Sequence, residues 1–316
     1  MATKSKGLRP RFRFAPLPEM AARRVGRTPA PVESYGDRDG YQADFIGADQ
    51  LAPLPKLGAA AKRDIVTFTW KGARTHVLDY THFSAAVSKS RRMPVFSACN
   101  IDGGKSRTIA RSNDWKLDPR IPTEYQILQE VYGSQKDGYF SRGHMTRRQD
   151  PGWGSKAVVA LADSDTFHAT NAAPQVQRFN GGLWGEIEDY ILANTRRDSM
   201  RVCVFTGPVF AGSDPVIHGV KVPVRFWKVV AFLHDGSGQL TATGYIASQA
   251  RAIADLKPAI TPSFVFGDFA HQQRPLAAIE ALTGLSFGAL TRRDVLAGAE
   301  PAFAAALRDV RDIMLA

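Results

Sequence analysis

Cysteines are scarce in this 316-residue chain, acidic residues are outnumbered, and long apolar runs are missing. Two cysteines, Cys99 and Cys203, are too few for a disulfide framework. Each lies in an apolar stretch that reads as a strand ("PVFSACNI", "RVCVFTG"), so both are expected as buried thiols. Charge interrupts apolar runs such as "AFAAALRDV" and "KVVAFL" well short of the roughly 18 residues of a membrane span, which excludes a transmembrane helix and predicts no membrane partner. The basic N-terminus is followed by no apolar segment or cleavage site, so no signal peptide is visible. That leaves the cytoplasm, or export by a route without a recognisable leader. No internal repeat or low-complexity tract is present.

What the chain has is core-forming material and positive charge. Hydrophobic residues make up 44% and aromatics 10%, ample for one large domain. Lys and Arg outnumber Asp and Glu by 41 to 30, giving +11. The first 30 residues hold eight basic side chains against Glu19 alone, so +7 sits there and only +4 on the remainder. Such an arm attracts polyanions by counterion release whatever the folded part does, so charge alone favours a nucleic-acid partner only modestly.

Residues 1–40 read as a basic, proline-containing extended arm lying over a domain of residues 41–316. From Asp64 onward, "DIVTFTW", "THVLDYTHFSAAV" and "MPVFSACNIDGG" read as successive antiparallel strands, and "RVCVFTGPVF", "VPVRFWKVVAFL" and "QLTATGYIAS" as further ones. Helices are expected at "PTEYQILQEVYG", "WGSKAVVALADSDTF", "GGLWGEIEDYILANTRRD", "RPLAAIEALTG" and "PAFAAALRDVRDIML". Strands and helices mix without βαβ alternation, which predicts an α+β fold with a central, mainly antiparallel sheet flanked by helices.

The chemistry concentrates in "YFSRGHMTRRQD", where His144 stands among Arg142, Arg147 and Arg148 with no acid before Asp150. The plain alternative is a loop histidine beside surface arginines. The arginines could instead neutralise a phosphate backbone, Gly143 would allow close approach of a ligand, and a cationic setting keeps an imidazole neutral, as a general base requires. Downstream, Asn180 directly precedes an expected helix and Glu188 follows eight residues later. Asn180 reads as an N-cap; alternatively its carbonyl and the Glu188 carboxylate, projecting from a similar face, could hold a hydrated hard cation such as Mg²⁺.

"RGHMTRRQD", then "TNAAPQ", "FN", "LW" and "IED" in that order, resembles the DNA/RNA non-specific endonuclease family of the ββα-metal class, the endonuclease G-like nucleases. The resemblance runs more loosely from "GYQADFIG" near Gly40 to "IEALTGLSF" near Phe287. It implies the ββα-metal nuclease fold and magnesium-dependent hydrolysis of DNA and RNA to 5′-phosphate products, with Mn²⁺ or another divalent cation able to substitute. By matching positions it makes His144 the general base, Asn180 the direct metal ligand and Glu188 a residue that reaches the ion through water. Arg142 falls on the signature arginine, Arg92 on an arginine near the scissile phosphate with Arg91 as a competing match, and Asn171 on a supporting position. Arg147 and Arg148 are further candidates for phosphate binding. One departure stands out: Ser141 replaces the family's aspartate before Arg-Gly-His, and a hydroxyl contributes no charge. The family also uses homodimers, although no segment marks an interface. Two other readings stay open at this point, a nucleic-acid-binding protein with a decayed site and a phosphodiesterase for small substrates.

Overall fold

The computed structural model describes residues 30–256, 271–300 and 302–314. Its frame is an eight-stranded sheet with every neighbouring pair antiparallel. In chain order the elements that matter are β1 (Leu78–Tyr80), β2 (Phe83–Val87), β3 (Pro94–Asp102), β4 (Ser141–His144), α1 (Lys156–Thr166), β5 (Ala172–Gln175), α2 (Gln177–Asn180) and α3 (Leu183–Arg197). They are followed by β6 (Arg201–Val209), β7 (Arg225–Leu233), β8 (Leu240–Ser248), β9 (His271–Gln273), α4 (Leu276–Thr283) and β10 (Ala305–Leu307). The sheet order is β10-β9-β8-β7-β6-β3-β2-β1, while β4 and β5 pair apart from it. That pair, followed by α2 and α3, supplies the expected ββα order within an α+β fold.

Alternation along the long strands builds two cores, one on each face. Phe96, Phe205, Trp227 and Val229 pack on one side against Leu276 and Ile279 of α4 and against Tyr41 and Ile46. Ile101, Val204, Val230 and Tyr245 pack on the other against Ile187 and Leu192 of α3. Burying side chains of this size contributes roughly 1.5–3 kcal/mol each. Cys203 pairs in register with Asn100, which puts neighbouring Cys99 on the opposite face. Both thiols are free and buried, as expected.

Two expected helices do not form. In "PTEYQILQEVYG" only Thr123–Tyr125 makes a 3-10 turn. Beyond it the Gln126 amide accepts from Asp118 N at 2.8 Å and donates to Asp118 O at 2.9 Å, which holds the segment extended. At "PAFAAALRDVRDIML" the chain adds an edge strand, β10, to β9, and then turns at Val310–Asp312 under an Asp309 capping box. Pairing with an open sheet edge outweighs the local alanine-rich helix preference. "DIVTFTW" contributes only Phe68–Trp70, in a separate ribbon with Ala73–Thr75. Packing also extends upstream of Tyr41: the hydroxyl of buried Tyr35 lies 2.7 Å from His168 Nε2, and Arg38 Nε donates to Asp165 at 2.9 Å.

The segment that leads to Gln126 is fixed by a buried charge pair. Arg120 Nη2 donates to Asp118 Oδ2 at 2.7 Å, Arg120 Nη1 donates to Asp79 O at 2.8 Å, and the guanidinium lies over the rings of Tyr35 and Tyr80. Removing one partner would strand the other charge. Arg120→Met should therefore lower unfolding free energy by about 3–5 kcal/mol, read as a fall in the urea midpoint.

Candidate active site

The β4–β5 pair carries the histidine. Ser141 faces Gln175, Gly143 faces Ala173 and His144 faces Ala172 in register. Gln175 lies across Gly143 so closely that a Cβ there would meet Gln175 Oε1 at 2.0 Å, so the crossing requires glycine. Asn171 locks the end of the pair. Its Oδ1 accepts from Thr146 N at 2.8 Å, and its Nδ2 donates to Thr146 O at 2.9 Å and to Thr166 O at 3.1 Å.

The His144 ring sits between Trp115 and Phe167, with centroids 4.8 and 5.1 Å away. The residue keeps partial exposure, yet Nε2 is buried and has no hydrogen-bond partner among the described residues. Burial first, and then the charges of Arg111 and Arg148, push its pKa down from 6.5 to about 3. The imidazole is neutral, as the cationic motif suggests, but desolvation is the larger cause. His168 has no such freedom, being buried and bonded through both ring nitrogens to Asp165 O and Tyr35.

The arginines divide by how they are held. Arg142 Nη2 donates to Leu128 O at 2.6 Å and its guanidinium lies 5.6 Å from the Trp115 ring, which places it beside His144. Arg92 Nη2 donates to Gln126 O at 2.9 Å and to Glu130. The expectation that Arg91, Arg147 and Arg148 hold phosphates meets prior commitments. Arg91 binds Asp214 at 2.9 Å and Ala211 O at 2.6 Å, Arg148 binds Asp163 at 2.8 Å, and Arg147 pairs with Asp189. Ser141 Oγ donates to Gln177 Oε1 at 3.0 Å and accepts from Gln135 Nε2 at 3.1 Å, so two neutral amides occupy the hydroxyl.

Asn180 is not an N-cap: it ends α2, and the N-cap of α3 is Gly182. Asn180 and Glu188 therefore stand on separate helices, with Gly181 and Gly182 between them, and not on one helical face. The Asn180 carboxamide makes no hydrogen bond among the described residues. Glu188 is nearly buried, with Oε1 3.2 Å from Lys228 Nζ. Among the described residues no three histidines, cysteines or carboxylates gather as a metal-binding group. An all-oxygen pair, one carboxamide and one carboxylate, fits a hard cation that keeps most of its waters. Sequence reading missed Trp115, Arg111 and Lys228. The first two lie in an aperiodic polar loop, where only an isolated tryptophan among charges signals a role.

With its pKa so low in the folded state, His144 should stay unprotonated where an unfolded chain takes up a proton. The unfolded state then binds the extra proton, and stability falls as pH drops from about 6.5 toward 3. In an NMR titration its ring resonances should stay constant from about pH 8 to 5. A midpoint near the ordinary imidazole value of 6.5 would show that the ring is solvated.

The family model described as DNA/RNA non-specific endonuclease matches residues 62–294. "Uncharacterized protein y4fB" of Sinorhizobium fredii is 37% identical over 304 residues, which cover 93% of this chain and 45% of that protein. "Endonuclease G, mitochondrial" of Bos taurus is 31% identical over 198 residues, covering 59% of this chain and 58% of the relative. A "Nuclease" of Nostoc sp. is 21% identical over 246 residues, covering 75% and 85%. The chain thus spans about half the length of the first two curated relatives. With the family model matching most of its length, this chain belongs to the DNA/RNA non-specific endonuclease family.

Proposed function

We propose that the protein is an endonuclease that hydrolyses backbone phosphodiesters of DNA and RNA to 5′-phosphate products. The observation that carries this reading is the neutral His144, a partly exposed imidazole set against two aromatic rings beside Arg142 and Arg111. A base of this kind takes a proton from water as its oxygen attacks phosphorus. The bond to the 3′ oxygen breaks, and that oxygen leaves as a hydroxyl after protonation from solvent. Every role addresses phosphate, so neither base nor sugar needs to be read.

Burial decides which arginines can meet the substrate. The partners of Arg92 and Arg147, Glu130 and Asp189, have side chains 40% and 71% exposed. Exposed pairs are worth about 0–1 kcal/mol, so a phosphate can displace these carboxylates. Asp214 and Asp163 are 2% and 4% exposed, and stranding such charges costs about 3–5 kcal/mol, which keeps Arg91 and Arg148 structural. Arg92 also has left-handed backbone, with φ 60°, a conformation that concentrates at functional sites. Arg92, Arg142 and Arg147 are then the phosphate ligands. Asn171 supports the histidine, and Ser141 supplies neutral hydrogen bonds where the family has a charge.

Asn180, with Glu188 acting through water, would hold Mg²⁺ or Mn²⁺, which supplies Lewis-acid stabilisation of charge at the phosphate when bound. The N-terminal residues add positive charge for any polyanion. A homodimer is compatible with the family. The test is digestion of plasmid DNA and of RNA with and without EDTA. His144→Ala should lower the rate by roughly 10²–10⁴-fold, and Asn180→Ala should abolish metal-dependent cleavage. Binding without any cleavage by the parent protein would instead support the decayed-site reading that Ser141 suggests.

A further inference from the structure

Lys228 lies on β7, in the middle of the sheet, and is 1% exposed. A lysine so buried is rare and costly unless paired. Its Nζ donates to Thr206 Oγ1 at 2.7 Å across the β6–β7 register, stands 3.2 Å from Glu188 Oε1, and lies 5.0 Å from the centroid of the Trp184 ring. Trp184 and Glu188 are one turn apart on α3, so the helix presents both to the same ammonium. Replacing such a pair with apolar side chains usually leaves stability unchanged or raises it. Stability alone therefore gives a weak reason for placing a lysine here.

The break before α3 supplies a better one. Asn180 and Glu188 would need a fixed separation to share one cation, but no continuous helix sets it, because Gly181 and Gly182 interrupt the chain between them. Burial of Trp184, Ile187 and Leu192 fixes where α3 lies. It does not fix the rotamer of a glutamate. Lys228 can, through charge: its ammonium stands 3.2 Å from Oε1, a buried oxygen with no hydrogen-bond partner among the described residues.

We propose that Lys228 is a positioning residue: anchored by Thr206, its ammonium aims the Glu188 carboxylate so that it and Asn180 together form the divalent-cation site. This deepens the proposed function and rests on it. The test measures Mn²⁺ binding by electron paramagnetic resonance without nucleic acid, beside the Mg²⁺ concentration for half-maximal plasmid cleavage. Lys228→Met should weaken Mn²⁺ binding about tenfold or more, as losses of outer-sphere partners do. Thr206→Val keeps both charges but frees the ammonium, and should weaken binding measurably but by less than Lys228→Met does. In a Glu188→Gln background, adding Lys228→Met should change binding by less than about twofold, because the two residues act as one unit.

Unchanged Mn²⁺ binding in folded Lys228→Met overturns the proposal, and so does a further loss of about tenfold in the double variant beyond Glu188→Gln. If Lys228→Met does not fold, Thr206→Val and the double variant decide by the same criteria. Asn180→Ala separates this proposal from the reading beneath it. If it binds Mn²⁺ as the parent does, or the parent binds none, the metal reading falls and takes this proposal with it. If binding depends on Asn180 while the Lys228 and Thr206 variants match the parent, only the role of Lys228 falls.

Discussion

The site depends on one buried carboxamide. Asn171 has no solvent contact, and its amide spends both ends on backbone, joining the residues just after β4 to the last turn of α1. Backbone groups in a dry interior must be paired, so this bridge has few alternative arrangements. It fixes the strand on which His144 stands, and Phe167, one residue beyond α1, comes with it to form one wall of the imidazole's pocket. The neutrality of the histidine is a product of that wall more than of the arginines.

Part of the positive charge in the domain is spent internally. Arg38, Arg91, Arg120 and Arg148 each pair with a shielded carboxylate; Arg38 and Arg148 pin loops to α1, and Arg91 joins two loops. A basic composition therefore says little about how many cations face a ligand. Partner exposure says more, since it separates a guanidinium that can change partners from one that cannot.

The motif residues and the long strands were legible because their signals are local. Alternation in "RFWKVVAFL" gives a strand, and helical spacing with Trp184 and Ile187 gives α3. The failures were non-local. "PTEYQILQEVYG" has helical spacing, but the Gln126 amide is captured by a residue eight positions earlier. The C-terminal alanine-rich stretch finds a sheet edge contributed by β9. Asn180 read as either a cap or a ligand because the two glycines after it do not by themselves show that a short helix already ends there. Lys228 read as an interruption in an apolar run, and its partner lies forty residues away in the chain.

The missing helix at residues 126–132 has a consequence for Arg92 and Arg142. An α-helix would have turned the Gln126 and Leu128 carbonyls inward to its own amides. Extended, they are free to receive Arg92 and Arg142 instead. Both guanidiniums are thus moored to the main chain of a single loop, two residues apart. Every amino acid carries that carbonyl, so the mooring survives almost any side-chain replacement at those two positions and fails if the loop winds into a helix. What must be preserved there is a backbone shape, and a proline or a shortened loop would displace both arginines together.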